Sequence, residues 1–122
     1  MICPYCHKDA RWCENKEIYG RNYGKSYMCY YCKDCNAYVG CHNNTKAALG
    51  TMANEELRGW RKKAHATFDP IWQYSNMSRQ EAYGLISEDF GFEVHIGEGD
   101  IETCQRIIEW ANKKIVEVAG DN

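Results

Sequence analysis

A chain of 122 residues with eight cysteines, nine tyrosines, four tryptophans and three phenylalanines is long enough for one domain with a modest hydrophobic core. It holds no apolar run near about 18 residues, which excludes a transmembrane helix, and its opening MICPYCHKDARWC lacks the basic-then-apolar layout of an export signal. The formal net charge of −2, with its acidic tail, disfavours nonspecific adhesion to duplex DNA.

That small net charge hides an asymmetry. Residues 1–41 carry six Lys/Arg against four Asp/Glu, residues 42–80 six against three, and residues 81–122 three against ten. The front is mildly basic and the tail acidic, and no Lys/Arg run exceeds the three residues Arg61-Lys62-Lys63.

In chain order, the first forty residues are rich in cysteine and tyrosine, with turn signals at Pro4, Gly20, Gly24 and Gly40. Segments 11–13, 17–19, 27–31 and 37–41 read as brief strands. After Gly50 the period changes: Leu57, Trp60, Ala64 and Phe68 share one face of a helix expected over 54–68. Pro70 disfavours helix at Asp69 and is expected to end it. Ser78-Arg79-Gln80-Glu81 is a capping box opening a second helix, with Ala82, Leu85, Ile86 and Phe90 inward. Gly91 suits its left-handed stop. Segment 92–96 reads as a short strand before the Gly97-Glu98-Gly99-Asp100 turn. Ile101, Cys104, Ile108, Ala111, Ile115 and Val118 then recur three and four apart, the stripe of a last amphipathic helix. Within that stripe Cys104 reads as a small core residue.

The most specific signal is a pair of Cys-x2-Cys turns, Cys3/Cys6 and Cys32/Cys35. Each tight turn aims two thiolates at one ion, and two turns complete the closed four-cysteine tetrahedron of a structural Zn(2+). A small strand-rich segment with little apolar volume needs such a staple. Cys29 and Cys32 share the same spacing. Yet Tyr30-Tyr31 between them is strand-like, while Lys33-Asp34 followed by Asn36 is turn-like, which favours Cys32/Cys35. Cys29 is placed on the incoming strand, and Cys13, with no partner at ligand spacing, reads as packing. If 37–42 is extended, Cys41 shares a face with Ala37 and Val39 and turns inward, whereas His42 points away. Clustered thiols without an export signal read as metal ligands in a reducing cytoplasm rather than as disulfides.

His42 is thus left over from the zinc set, and other polar residues offer it company. His65 on the first long helix, Asp69 four residues later and His95 near the glycine turn complete a candidate catalytic set for a metal-dependent hydrolase or nuclease. Arg58, Arg61 and Arg79 are candidate ligand-binding residues, which also admits a small-ligand or nucleotide pocket without turnover. Taken singly, each histidine also has a plain reading as a surface or strand-end residue. His7, after the first cysteine turn, reads as exposed.

Tyr5, Tyr19, Tyr23, Tyr27, Tyr30, Tyr31 and Tyr38 crowd the cysteine-rich region, interleaved with Arg11, Lys16, Arg21, Lys25 and Lys33. Such a mixture stacks bases and meets phosphate; equally, tyrosine is half-buried packing on a small ribbon. The sequence leaves both open.

CPYC at 3–6, CKDCNAYVGCH at 32–42, LGTMANEELRGWRKKAHATFDPIW at 49–72, SRQEAYGLI at 78–86 and HIG at 95–97 resemble an uncharacterised zinc-finger-containing family found largely in phages and prophage-bearing bacteria. The resemblance implies the Cys3/Cys6/Cys32/Cys35 zinc assignment and one domain, and carries no established activity. Ala48 stands where that family usually has proline, and His7 where glycine is frequent. The expected fold is α+β: a zinc-ribbon-like β segment over 1–44 packed with about three helices and a short strand over 45–122, as one compact domain. The expected function is that of a zinc-binding accessory protein, phage-derived and cytoplasmic, with a nucleic acid or a host or phage protein as its partner.

Overall fold

The computed structural model describes residues 1–120. Its contacts resolve into two units, Met1–Arg58 and Gly59–Asn122, and the α+β class holds. No helix among the described residues is long and apolar enough to cross a membrane.

The first unit is built on an antiparallel meander of β1 (Arg11–Glu14), β2 (Met28–Cys32) and β3 (Ala37–Gly40), in that spatial order. The register pairs Cys13 with Cys29 and Cys32 with Ala37. Side chains alternate across the sheet. Trp12, Tyr30, Cys32, Ala37 and Val39 therefore share one face, and Cys13, Cys29, Tyr31 and Tyr38 the other. On the first face Cys3, Ala37 and Met52 form a buried cluster, edged by Cys6, Ala10, Tyr30, Cys32, Cys35 and Val39. Cys41 is also buried, as the alternation requires.

The link after β3 stays with this unit. Bridges join Cys41 to Ala48 and Tyr38 to Ala53, so the ribbon extends past residue 44 to Arg58. Ala48 sits where its N–H is not part of the bridge, the bonds being His42 N–H to Ala47 O and Leu49 N–H to Gly40 O. Proline suits such a position.

Segment 17–19 is not a strand but part of a one-turn helix, α1 (Lys16–Tyr19), closed by Gly20 at φ 84°. A left-handed stop is what glycine supplies without strain.

The expected end of helix at Pro70 is also corrected. α2 runs Glu55–Gln73 with Pro70 inside it. The proline removes one N–H bond, but Phe68 and Ile71 on either side are fully buried and hold the helix on course. Asp69 starts no new helix; it accepts the Trp72 indole N–H at 3.1 Å. Unit boundaries fall inside α2, at Arg58 and Gly59.

In the second unit, α3 (Arg79–Phe90) opens where expected with half of the capping box, Ser78 Oγ accepting the Glu81 N–H, and Gly91 closes it at φ 78°; Ala82 and Ile86 are buried, Leu85 and Phe90 only half-buried. No strand forms over 92–96. Val94 and Ile96 are buried, so the alternation is genuine, but no neighbouring strand pairs with it among the described residues. Instead Ser87 Oγ accepts the Val94 N–H at 2.9 Å, and a 3-10 turn spans Ile96–Glu98. α4 (Ile101–Gly120) follows, started by Asp100 accepting the Thr103 N–H at 2.8 Å. Its buried positions are Cys104, Ile107 and Ala111; Ile108, expected inside, is only half-buried.

Candidate metal centre

Two short turns bring four sulfurs together. In the first, Cys3 N–H donates to Lys8 O at 2.8 Å and His7 N–H donates back to Cys3 O at 2.9 Å. In the second, Asn36 N–H reaches Lys33 O at 3.2 Å. The residue after each second cysteine is left-handed, His7 at φ 64° and Asn36 at φ 50°. That bend turns backbone amides toward sulfur: Cys3 accepts from Cys6 and Tyr5 N–H, and Cys32 from Cys35 N–H.

The ligand atoms of Cys3, Cys6, Cys32 and Cys35 all lie within 4.8 Å of one another, and Cys6 and Cys32 sulfurs are 3.7 Å apart. A zinc tetrahedron with Zn–S bonds of about 2.3 Å sets its sulfurs about 3.8 Å apart. The cage therefore fits Zn(2+) with a complete set of four protein ligands, which is the structural kind of site. Among the described residues it is the one group of three or more His, Cys, Asp or Glu side chains so disposed.

Without an ion the thiols differ. Burial opposes ionisation of Cys3, yet the amides of Cys6 and Tyr5 and the neighbouring thiols bring it down to about 7. Burial and hydrogen bonding to the other three thiols push Cys35 up to about 12. Cys32 is raised as well: burial and the Cys6 and Cys3 thiols outweigh the Cys35 amide. Cys32 and Cys35 are thus protonated near neutral pH, and zinc must displace both protons. Affinity accordingly rises with pH. We expect log Kd, measured by competition with a chelating dye, to fall by at least two units per pH unit between about pH 6 and 8; a slope below one would contradict this protonation pattern.

His7 bears a side chain in a conformation that costs most residues about 1–2 kcal/mol, less in favourable cases. His7→Gly should therefore stabilise the zinc-loaded first unit by about 0.5–1 kcal/mol, after the entropy cost of glycine. Urea titration followed by tryptophan fluorescence reads this.

The other sequence candidates each have local partners. His42 is exposed at the head of a loop, its N–H on Ala47 O and its carbonyl accepting from Thr45 N–H and Oγ1–H. In the second unit, His65 Nδ1–H donates to Arg61 O at 3.1 Å, and His95 Nε2–H donates to Glu93 Oε1 at 3.0 Å. Arg61 Nε–H donates to Gly99 O at 3.0 Å. Arg79 sets its guanidinium 5.6 Å from the centre of the Tyr83 ring, whose hydroxyl burial pushes up. The sequence reading does not single out Tyr83, although its position four residues after Arg79 on a helix is the available signal. Arg58 belongs to the first unit: it donates to Asn36 O at 2.6 Å and Ala53 O at 2.8 Å, and stacks 4.1 Å over the Tyr38 ring.

The sheet face away from the zinc gathers four of the tyrosines. Tyr23, Tyr19, Tyr38 and Tyr31 form a row of edge-to-face contacts, with centroids 5.2, 6.0 and 6.4 Å apart. Arg21 lies 4.7 Å over Tyr23 at one end. The loop carrying Tyr23 is fixed by Asn15, whose side chain bonds both N–H and C=O of Tyr23, and by Asn22, which accepts from Lys16 N–H. Tyr19 and Tyr23 remain nearly half exposed, at 47% and 46%. Tyr5 and Tyr30 use their hydroxyls locally: Tyr5 accepts the Asn54 N–H, and Tyr30, packed against the buried cluster, donates to Lys46 O.

The chain matches a family described as a zinc-finger-containing domain over residues 1–114, from the first cysteine turn well into α4. No curated protein and no solved structure matches it.

Proposed function

Because the chain belongs to the family of zinc-finger-containing domains, we propose that it is a zinc-stapled accessory protein that binds single-stranded nucleic acid. The observation that carries this reading is the tyrosine row on the face away from the metal, flanked by Arg21 and Arg58. Packing alone does not call for pinning Tyr19 and Tyr23 while leaving them nearly half exposed. Exposed rings offer stacking surface to any base, and guanidinium groups beside them offer charge to phosphate. The first unit carries eight Lys/Arg against six Asp/Glu, so stacking must supply more of the affinity than charge. On this reading the metal has no chemical part; it holds the sheet that presents the rings. The protein acts as a phage-derived accessory in the host cytoplasm, where a reducing thiol pool preserves zinc thiolates.

The test is fluorescence anisotropy of zinc-loaded protein with labelled single-stranded DNA and RNA at fixed salt. Tyr19→Ala and Tyr23→Ala should each weaken binding about tenfold, within the roughly 1–3 kcal/mol range of a base–aromatic stack, with zinc content unchanged. No binding at about 100 μM protein, or binding indifferent to both substitutions, overturns the reading. A partner protein retained on the same tyrosine surface would replace nucleic acid with protein. Oligonucleotide cleavage lost in His42→Ala or His65→Ala would favour the hydrolase alternative.

A further inference from the structure

Zinc takes four of the eight cysteines, and Cys104 is buried in α4. Among those left, Cys13 and Cys29 stand directly opposite each other in the β1–β2 register, with their sulfurs 4.0 Å apart. Two residues along the same register, Asn15 N–H donates to Tyr27 O at 2.6 Å. The alternation of an antiparallel ladder then makes 13/29 one of its hydrogen-bonded pairs, with Cα atoms about 5.5 Å apart. That separation lies within the roughly 4.4–6.8 Å that a disulfide spans. Hydrogen-bonded pairs hold their side chains wider than the intervening pairs do, so closing the 4.0 Å between the sulfurs to a bond of about 2.05 Å draws the edge strand β1 inward at this pair.

We propose that Cys13 and Cys29 form a reversible cross-strand disulfide, a redox site separate from the zinc cage, with a small-molecule disulfide as oxidant. This goes beyond the nucleic-acid reading and does not depend on it.

Cys13 is the entry point. It is the less buried of the two, at 6% against 2% exposure, and β1 is an edge strand that opens more readily than the centre of the sheet. Its proton passes to solvent as sulfur attacks, because the neighbouring Glu17 carboxylate, held below its ordinary range, is too weak a base to take it. A bond forms between Cys13 and one oxidant sulfur while the oxidant's S–S bond breaks, releasing one thiolate. Cys29, deprotonated in turn, attacks the Cys13 sulfur and expels the second. Two cysteine thiols lose two electrons and two protons, and the oxidant leaves as two thiols. Burial and Glu17 push Cys13 up to about 12, and burial raises Cys29. Both groups therefore remain thiols near neutral pH, and exchange is slow. The pair suits sustained oxidation rather than a brief pulse.

Zinc-loaded full-length protein is incubated with excess oxidised glutathione, free thiols are alkylated, and peptides are mapped by mass spectrometry alongside metal analysis. The expected result is a Cys13–Cys29 crosslink with zinc retained, reversed by dithiothreitol. Cys13→Ser should abolish the crosslink completely at unchanged zinc content. Disulfides confined to Cys3, Cys6, Cys32 and Cys35 with zinc released, or a full set of alkylatable thiols, overturns the proposal. The wild-type map decides even if Cys13→Ser folds poorly.

Discussion

Cys35→Ser removes tight zinc binding and with it the fold of the first unit. Metal analysis of the purified variant should find little zinc where the parent carries one ion, and the near-ultraviolet circular dichroism contributed by the fixed row of Tyr19, Tyr23, Tyr31 and Tyr38 should fall. The expected effect is large because this unit has few other sources of stability. Its central buried cluster is Cys3, Ala37 and Met52, two small side chains and one flexible one. Structural zinc contributes an apparent 10–16 kcal/mol in small metal-stabilised domains near neutral pH, and much of that depends on a complete ligand set. Chelation of the parent protein should reproduce the same spectral change. Cys29→Ser is the informative control, since Cys29 shares the spacing of a ligand but its sulfur lies beside Cys13. It should keep its zinc. Zinc retained in Cys35→Ser and lost in Cys29→Ser would overturn the ligand assignment.

Phe68→Ala should cost the second unit about 3–5 kcal/mol. Phe68 is fully buried and packs its ring 4.6 Å from Tyr83 and 6.3 Å from Trp110, by centroids. Removing it takes a packing partner from α3 and another from α4 at once. Against a total stability of about 5–15 kcal/mol, that loss should bring the helical signal in urea to a markedly lower midpoint. A change below about 1 kcal/mol would show that the three helices are held elsewhere. Zinc content should be unaffected, because Phe68 supplies no ligand and lies outside residues 1–58.

These two predictions rest on features that differ in how far the sequence announces them. The zinc cage is legible because its geometry is local: two turns of four residues each fix the sulfur pairs, and only their meeting is tertiary. Ser78, Glu81 and Gly91 are legible for the same reason, since caps act over three or four residues. Segment 17–19 fails that test, being too short to distinguish period 2 from period 3.6; the better signal was Gly20 as a helix stop. At 92–96 the alternation of Val94 and Ile96 is correct but incomplete, because a strand needs a hydrogen-bonded neighbour and alternation names none. Ile107 and Ile108 are adjacent and chemically alike, so only the packed phase of α4 decides between them. The tyrosine row is hardest of all. Its order, Tyr23, Tyr19, Tyr38, Tyr31, mixes a loop, a helical turn and two strands.

Arg58 narrows what can change around it. One guanidinium lies flat over Tyr38 while donating to the carbonyls of Asn36 and Ala53, so it ties the residue after Cys35 to the entrance of α2. Lysine would conserve the charge but lacks the planar group that stacks and bonds at the same time. Counted by charge, arginine and lysine are interchangeable there; by shape they are not, so a substitution that any composition-based comparison scores as silent would loosen one wall of the metal cage.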